Sequence, residues 1–263
     1  MRSAMLLTEL DDSACLGVSR GDTPIACKDC GVYQLCLPPD GGEADGSILD
    51  QITKNRRIFK RGDYLFRLGH PFHSIYAIRS GSVKTYIWMD DGRVQVTGFH
   101  IAGELLGLNA INSKRYHCEA RALETTSVCE IPFDQLEALV RSNLSIQYQI
   151  LRIMSREMLQ NQELILLLGK KNAEERLATY LIGLSRRLEQ RHLSPCEFNL
   201  SMSRGDIGNY LGIAEETVCR VLSRFEEEEL IELRRRYIRL RAPGRLAQIG
   251  GVAECAARES QVG

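Results

Sequence analysis

The chain has 263 residues, enough for two ordinary domains with cores of their own. Its 34 basic and 34 acidic side chains cancel, so the overall balance favours neither a nucleic-acid nor a membrane partner, and any such attraction must be local. Nine cysteines without a secretory leader pattern argue against a disulfide frame and are expected to be reduced cytoplasmic thiols, some of them metal ligands.

Residues 1–26 lack periodicity and read as an arm, with Cys15 a spare thiol. The stretch ACKDCGVYQLCL, Ala26 to Leu37, then places Cys27, Cys30 and Cys36 in one short loop. A Cys-x2-Cys pair lets two sulfurs converge on one metal centre, and the residues before Cys36 let the backbone pass around a larger cofactor. A cubane cluster needs four thiolates, so one more must come from elsewhere. Zinc would be satisfied by the same four sulfurs, and inert buried thiols are the bland alternative. After Pro38 and Pro39, DGGEADGS reads as an acidic linker, followed by a short helix carrying Ile48, Leu49 and Ile52 on one face.

From Ile58 to Pro132 short alternating strands broken by glycine turns succeed one another: YLFRLG, SIYAIRSG, SVKTYIWMDDG, RVQVTGFH and SVCEI. That spacing predicts an all-β roll or barrel, with Gly103-Glu104-Leu105 as a short internal turn. Helix is predicted around PFDQLEALV and then over a long run from about Leu144 to Leu168, whose longest apolar stretch, Leu164 to Leu168, is too short to cross a bilayer. Within the run Leu151, Met154, Met158, Asn161, Ile165 and Leu168 recur at steps of three and four, the seam of a two-stranded coiled coil. Ile150 and Ile153 lie off that seam and are placed to pack on the roll. A single core helix within one domain is the alternative.

KKNAEERLATYLIGLSRRL is amphipathic, with Leu177, Tyr180, Leu181 and Leu184 on one stripe. Ser203 is placed to cap a helix over MSRGDIGNYLG, Gly212 supports a sharp turn, and Ala214 to Glu227 forms a second helix. With Ile207, Leu211, Val218 and Leu222 inward this is a helix-turn-helix. LIEL and YIRL, joined by three arginines, make a wing. On the second helix Glu216 and Arg220 share a face: Arg can donate twice to guanine and a carboxylate can accept from cytosine, with Cys219 between them. An exposed ion pair one turn apart is the competing explanation. Arg204, Arg224 and Arg235 are placed to meet phosphates.

The chain is therefore α+β, with an arm and cysteine loop (1–45), a β-roll sensor domain (46–140), a dimerisation helix (141–170), a winged helix-turn-helix (171–243) and a flexible tail (244–263) containing a spare Cys255. The order of parts resembles the superfamily of the cyclic AMP receptor protein and the fumarate-nitrate reduction regulator. ACKDCGVYQLCLP, SVCEIPF, LLLGKKNAEERLA and MSRGDIGNYLGIAEETVCRVL are similar to the latter branch, whose sensor is oxygen-responsive. The resemblance implies Cys27, Cys30, Cys36 and Cys129 as ligands of a 4Fe-4S cluster, with Cys118 a spare. It also implies homodimers binding double-stranded DNA at TTGAT-N4-ATCAA, and RNA polymerase contact through loops such as Asp90 to Arg93. No cyclic nucleotide is expected, because Tyr116-His117 stands where nucleotide binders carry an Arg-Ser or Arg-Thr clamp. Two departures stand out. Cys219 replaces the usual serine, so its base is expected to be read less strictly, and Asn161 in place of an acidic residue is expected to ease association without the cluster. A zinc-stabilised or other-ligand regulator remains the alternative. A redox enzyme would need further catalytic groups, and no nucleophile–base pair or phosphate loop supports one.

Overall fold

The computed structural model describes residue 30, residue 53 and residues 55–252. The arm, the linker and the short helix around Ile48 to Ile52 lie outside the described residues, as do Cys27, Cys36 and Cys255.

Eight strands form the roll: β1 (Asn55–Phe59), β2 (Tyr64–Phe66), β3 (Ser74–Ser80), β4 (Ser82–Trp88), β5 (Val94–Ile101), β6 (Leu105–Leu106), β7 (Glu119–Ala122) and β8 (Thr126–Pro132). They make two four-stranded sheets, ordered β1-β8-β3-β6 and β2-β7-β4-β5. Ile75, Ile78 and Val128 from the first sheet and Val83, Ala120 and Ala122 from the second close one apolar interior. The β3–β4 connection depends on Gly81: its φ is +83°, and a Cβ there would lie 2.6 Å from the Thr125 carbonyl oxygen. Strand β7, EARA, lacks the β-branched signature and is defined by its neighbours β2 and β4 instead of by propensity.

Pro132 leads into α1 (Phe133–Ser142), and Asn143 accepts from the Ile146 amide to cap α2 (Leu144–Lys170). Ile150 and Ile153 of α2 pack on the roll, as their spacing predicted, whereas Leu164, Leu167 and Leu168 join a second core. Asn172 and Glu175 form a capping box at the start of α3 (Ala173–Glu189), whose Leu177, Tyr180, Leu181 and Leu184 are all buried.

The second core continues through α4 (Arg204–Leu211), α5 (Glu215–Glu227) and a three-stranded sheet. That sheet pairs the wing strands β10 (Ile231–Arg234) and β11 (Tyr237–Leu240) with β9 (Glu197–Asn199), which the sequence reading had not assigned. The flexible tail expected from residue 244 is corrected over its first part by α6 (Pro243–Ile249). Pro243 supplies a preset φ at the first turn, Leu246 is fully buried, and the Gly250 carbonyl accepts from Lys171 and Thr179.

Candidate metal centre and nucleic-acid interface

Cys129 lies in β8, flanked by Arg56 of β1 on one side and Ala77 of β3 on the other. Cys30, nearly a hundred residues earlier, lies within electrostatic reach of the Cys129 sulfur. Burial pushes the Cys129 thiol above its ordinary range and Cys30 adds to that, while Arg56 and Arg79 oppose it. Arg56 also hydrogen-bonds to the sulfur. Two soft, partly buried donors from remote segments thus lie within electrostatic reach of each other, a donor set that fits a thiolate-bound metal or cluster. Among the described residues no three His, Cys, Asp or Glu side chains form a metal-binding group. Cys118 is a different kind of thiol, buried in the roll interior with its pKa pushed up to about 11 by burial.

Tyr116 is the first of the two residues that the resemblance sets against a nucleotide clamp. It is buried, stacks on Phe66 with ring centroids 4.0 Å apart, and donates its hydroxyl to the Ser74 carbonyl at 2.7 Å. An aromatic core fills this part of the roll.

The helix-turn-helix is assembled by local rules. Ser203 accepts from the Asp206 amide at 3.0 Å and Asp206 accepts from the Ser203 amide at 3.4 Å, a capping box that starts α4. Gly212 ends α4 at φ +63°, and Gly208 leaves no room for a Cβ, which would lie 2.7 Å from the Ile213 carbonyl oxygen. Ile207, Leu211, Val218 and Leu222 are buried between the helices, leaving Glu216, Cys219 and Arg220 exposed on α5. Arg204 lies close to Cys219 and donates to the Arg235 carbonyl at 3.0 Å, joining α4 to the wing turn, where Arg235 has φ +57°. Arg224 differs from the other expected phosphate contacts: it is paired with Glu174 at 3.0 Å and Glu228 at 2.9 Å. Glu226, near the end of α5, accepts from the Leu233 amide at 3.0 Å.

Of the seam positions, Leu151, Met154, Met158, Asn161 and Ile165 are exposed along α2, and Leu168 is half-buried against the second core. Burying such a stripe requires another surface.

Sequence reasoning missed the junction between the roll and the DNA-binding unit. Glu104 of the internal turn accepts from Arg187 of α3 at 2.8 Å and from Arg191, in the turn just after α3, at 2.7 Å. Arg187 also donates to the Phe99 carbonyl at 2.6 Å, and Arg191 to the Ala102 carbonyl. Burial works to raise the Glu104 carboxyl, but Arg187, His100 and Arg191 outweigh it and hold it below its ordinary value. Nearby, burial pushes His100 down to about 4, and burial with the charge of Glu104 pushes Glu157 of α2 up to about 7. Asn209 of α4 accepts from the Val96 amide at 2.6 Å and donates to the Val94 carbonyl at 2.7 Å, covering the free edge of β5. Lys84 pairs with Asp206, and Phe99, Tyr180 and Tyr210 meet edge to face. The available signal is the i,i+4 spacing of Arg187 and Arg191 across the end of an amphipathic helix; nothing local identifies their partner.

A nucleotide-binding-type roll joined by a long helix to a winged helix-turn-helix defines a class of sensor-linked DNA-binding regulators. Residues 56–143 match the cyclic nucleotide-binding domain and residues 175–249 the Crp-like helix-turn-helix domain. The transcriptional activator protein Anr of Pseudomonas protegens is 46% identical over 225 residues, 86% of this chain and 92% of that protein. The fumarate and nitrate reduction regulatory protein of Escherichia coli K12 is 44% identical over 234 residues, 89% and 94% of the two chains. The structure of FixK2 from Bradyrhizobium japonicum superposes with a TM-score of 0.69 at 30% identity, covering 77% of this chain and 98% of that one. The chain belongs to the CRP/FNR family of transcription regulators, close to the fumarate and nitrate reduction regulators, and is not an enzyme. Membership implies DNA binding and dimer formation. No helix among the described residues is long and apolar enough to cross a membrane.

Proposed function

We propose that the protein is a cytoplasmic, oxygen-responsive transcription regulator in which Cys27, Cys30, Cys36 and Cys129 hold a 4Fe-4S cluster that promotes dimerisation and binding to TTGAT-N4-ATCAA-like palindromes when oxygen is scarce. The observation that carries this reading is the approach of Cys30 to Cys129 in a chain of this family. Such a cluster supplies an oxygen-labile cross-link between the N-terminal loop and the roll. The polypeptide supplies the transmission. Cys129 is three residues before Pro132, where β8 turns into α1, and α2 follows at once through the Asn143 cap. Ile150 and Ile153 hold the first turns of α2 against the same core, so a fixed β8 orients the exposed seam of Leu151, Met154, Met158, Asn161, Ile165 and Leu168 for a second copy. A coupling of about 2 to 3 kcal/mol between ligand loop and pairing would change occupancy by tens of fold.

Pairing sets two copies of α5 about one helical turn of DNA apart, roughly 34 Å. Glu216 and Arg220 then read bases, Cys219 approaches a neighbouring base, and Arg204 and Arg235 meet phosphates. Arg224 reaches a phosphate only by exchanging Glu174 or Glu228 for it. Activation through RNA polymerase contacts near Asp90 to Arg93 is part of the same proposal. The buried Tyr116 supports a sensor that takes no cyclic nucleotide.

Protein purified without oxygen is expected to be brown, to contain iron and sulfide, and to pair and bind the palindrome more tightly than the stripped chain. A colourless, air-indifferent protein holding zinc would establish the alternative regulator. Loaded protein that pairs and binds no better than stripped protein would remove the proposal. At the recognition helix, Cys219→Ser should leave half-site affinity within about threefold or improve it; a loss above tenfold counts against the placement of Cys219.

A further inference from the structure

The surroundings of Cys129 contain two cations that the proposed ligand set does not use. Arg56 is the direct cross-strand partner of Cys129 in the β1–β8 pairing. Arg57, the next residue, points to the opposite face, where it meets Glu130 at 3.4 Å beside Tyr76. Arg79 is the extra residue where β3 slips against β8 between Ile78 and Ser80, two residues along from Ala77, the cross-strand partner of Cys129, and its charge reaches the sulfur. Two guanidinium groups from different strands therefore flank one thiol, in a protein whose overall charge is zero.

A centre held by four thiolates is anionic, and ligating sulfurs accept charge-assisted hydrogen bonds that fix their orientation. We propose that Arg56 and Arg79 are positioning residues for the cluster, Arg56 by bonding to the Cys129 sulfur and both by offsetting the negative charge gathered on that face. This rests on the cluster reading above. It places part of the cluster's retention on β1 and β3, strands outside the cysteine motifs.

The test uses the full chain, reconstituted with iron and sulfide without oxygen and then challenged with a ferrous-iron chelator while iron release is followed. Arg56→Gln is expected to lose iron about tenfold faster than wild type. Arg79→Gln should show a smaller acceleration, and Arg56→Lys should recover part of the loss because charge returns without the planar donor geometry. Arg57→Gln, one residue along the same strand, should release iron at the wild-type rate. Thermal melting of the cluster-free variants separates cluster loss from general loosening of β1: equal melting with unequal iron release supports the proposal. Iron release that merely tracks melting, or a wild-type rate for Arg56→Gln, overturns it. A wild-type chain that takes up no iron and sulfide overturns the cluster reading itself.

Discussion

Two faces of the helical region meet opposite fates. Along α2, Leu151, Met158 and Ile165 are more than half exposed and touch nothing that would keep them dry. Between the roll and the end of α3, a charged cluster of Glu104, Arg187 and Arg191 is paired and half-buried within one chain. Apolar groups are exposed and ionic groups are partly withdrawn from solvent, the reverse of the usual preference. An apolar stripe left unsatisfied by one chain makes pairing depend on concentration and on orientation. An ion cluster satisfied within one chain fixes the angle between sensor and reader whether or not a partner is present.

Breaking the seam should have the largest effect. Ile165→Glu places like charges opposite each other in a dimer and removes apolar burial, so dimer dissociation should increase by at least 100-fold, about 3 kcal/mol. The melting of the isolated chain should move little, because Ile165 is 68% exposed. Analytical ultracentrifugation of protein reconstituted with iron and sulfide without oxygen, paired with melting at low concentration, checks both halves. Unchanged association would show that another surface forms the dimer.

Breaking the junction should do the converse. Glu104→Gln leaves Arg187 and the almost fully enclosed Arg191 without their counter-charge, at a cost of about 2 kcal/mol in stability. Denaturant titration measures this, and small-angle scattering should show the DNA-binding unit loosened from the roll. Asn209→Ala, which strips the cover from β5 and leaves the Val96 amide unpaired, should cost about 1.5 kcal/mol. Neither change touches a seam residue, so pairing through α2 should respond less than stability does.

The contrast also separates what a sequence can disclose from what it cannot. The seam, the α3 stripe and the helix-turn-helix core are written in periodicity, caps and turn glycines, all local features; Ser203, Gly212 and the four inward residues of α4 and α5 stand where those features put them. Strand β7, the third wing strand β9 and helix α6 carry weak local signals and exist because a neighbouring element offers a ladder or a groove. Three of the four expected ligands are similarly legible: the spacing of Cys27, Cys30 and Cys36 is a local pattern, whereas Cys129 is indicated only by resemblance. The pairing of Glu104 with Arg187 joins residues more than eighty positions apart, so no window of sequence contains it.

The smallest effect lies where the two faces meet, at Glu157. Its pKa of about 7 means that between the ordinary carboxylate value of 4.5 and 7 the folded chain holds a proton that the unfolded chain has lost. The folded state therefore binds more protons, and the stabilisation present at low pH is lost as pH rises through that window. His100 works in the opposite sense: with its pKa held near 4, the unfolded chain takes up the proton first as pH falls below 6.5, and stability declines towards acid. Between 4.5 and 6.5 the two slopes oppose each other, and above 6.5 only that of Glu157 remains. Glu157→Gln should therefore stabilise the chain at pH 8 by about 1 kcal/mol, less than the full shift because the side chain stays partly hydrated. Below pH 6.5 the same variant should fall off more steeply towards acid than wild type, since the slope of His100 is no longer opposed. Because Glu104 is one cause of the Glu157 shift, the pH 8 gain should shrink in a Glu104→Gln background. An undiminished gain would mean that burial alone sets the proton on α2, with no electrical link between that helix and the junction.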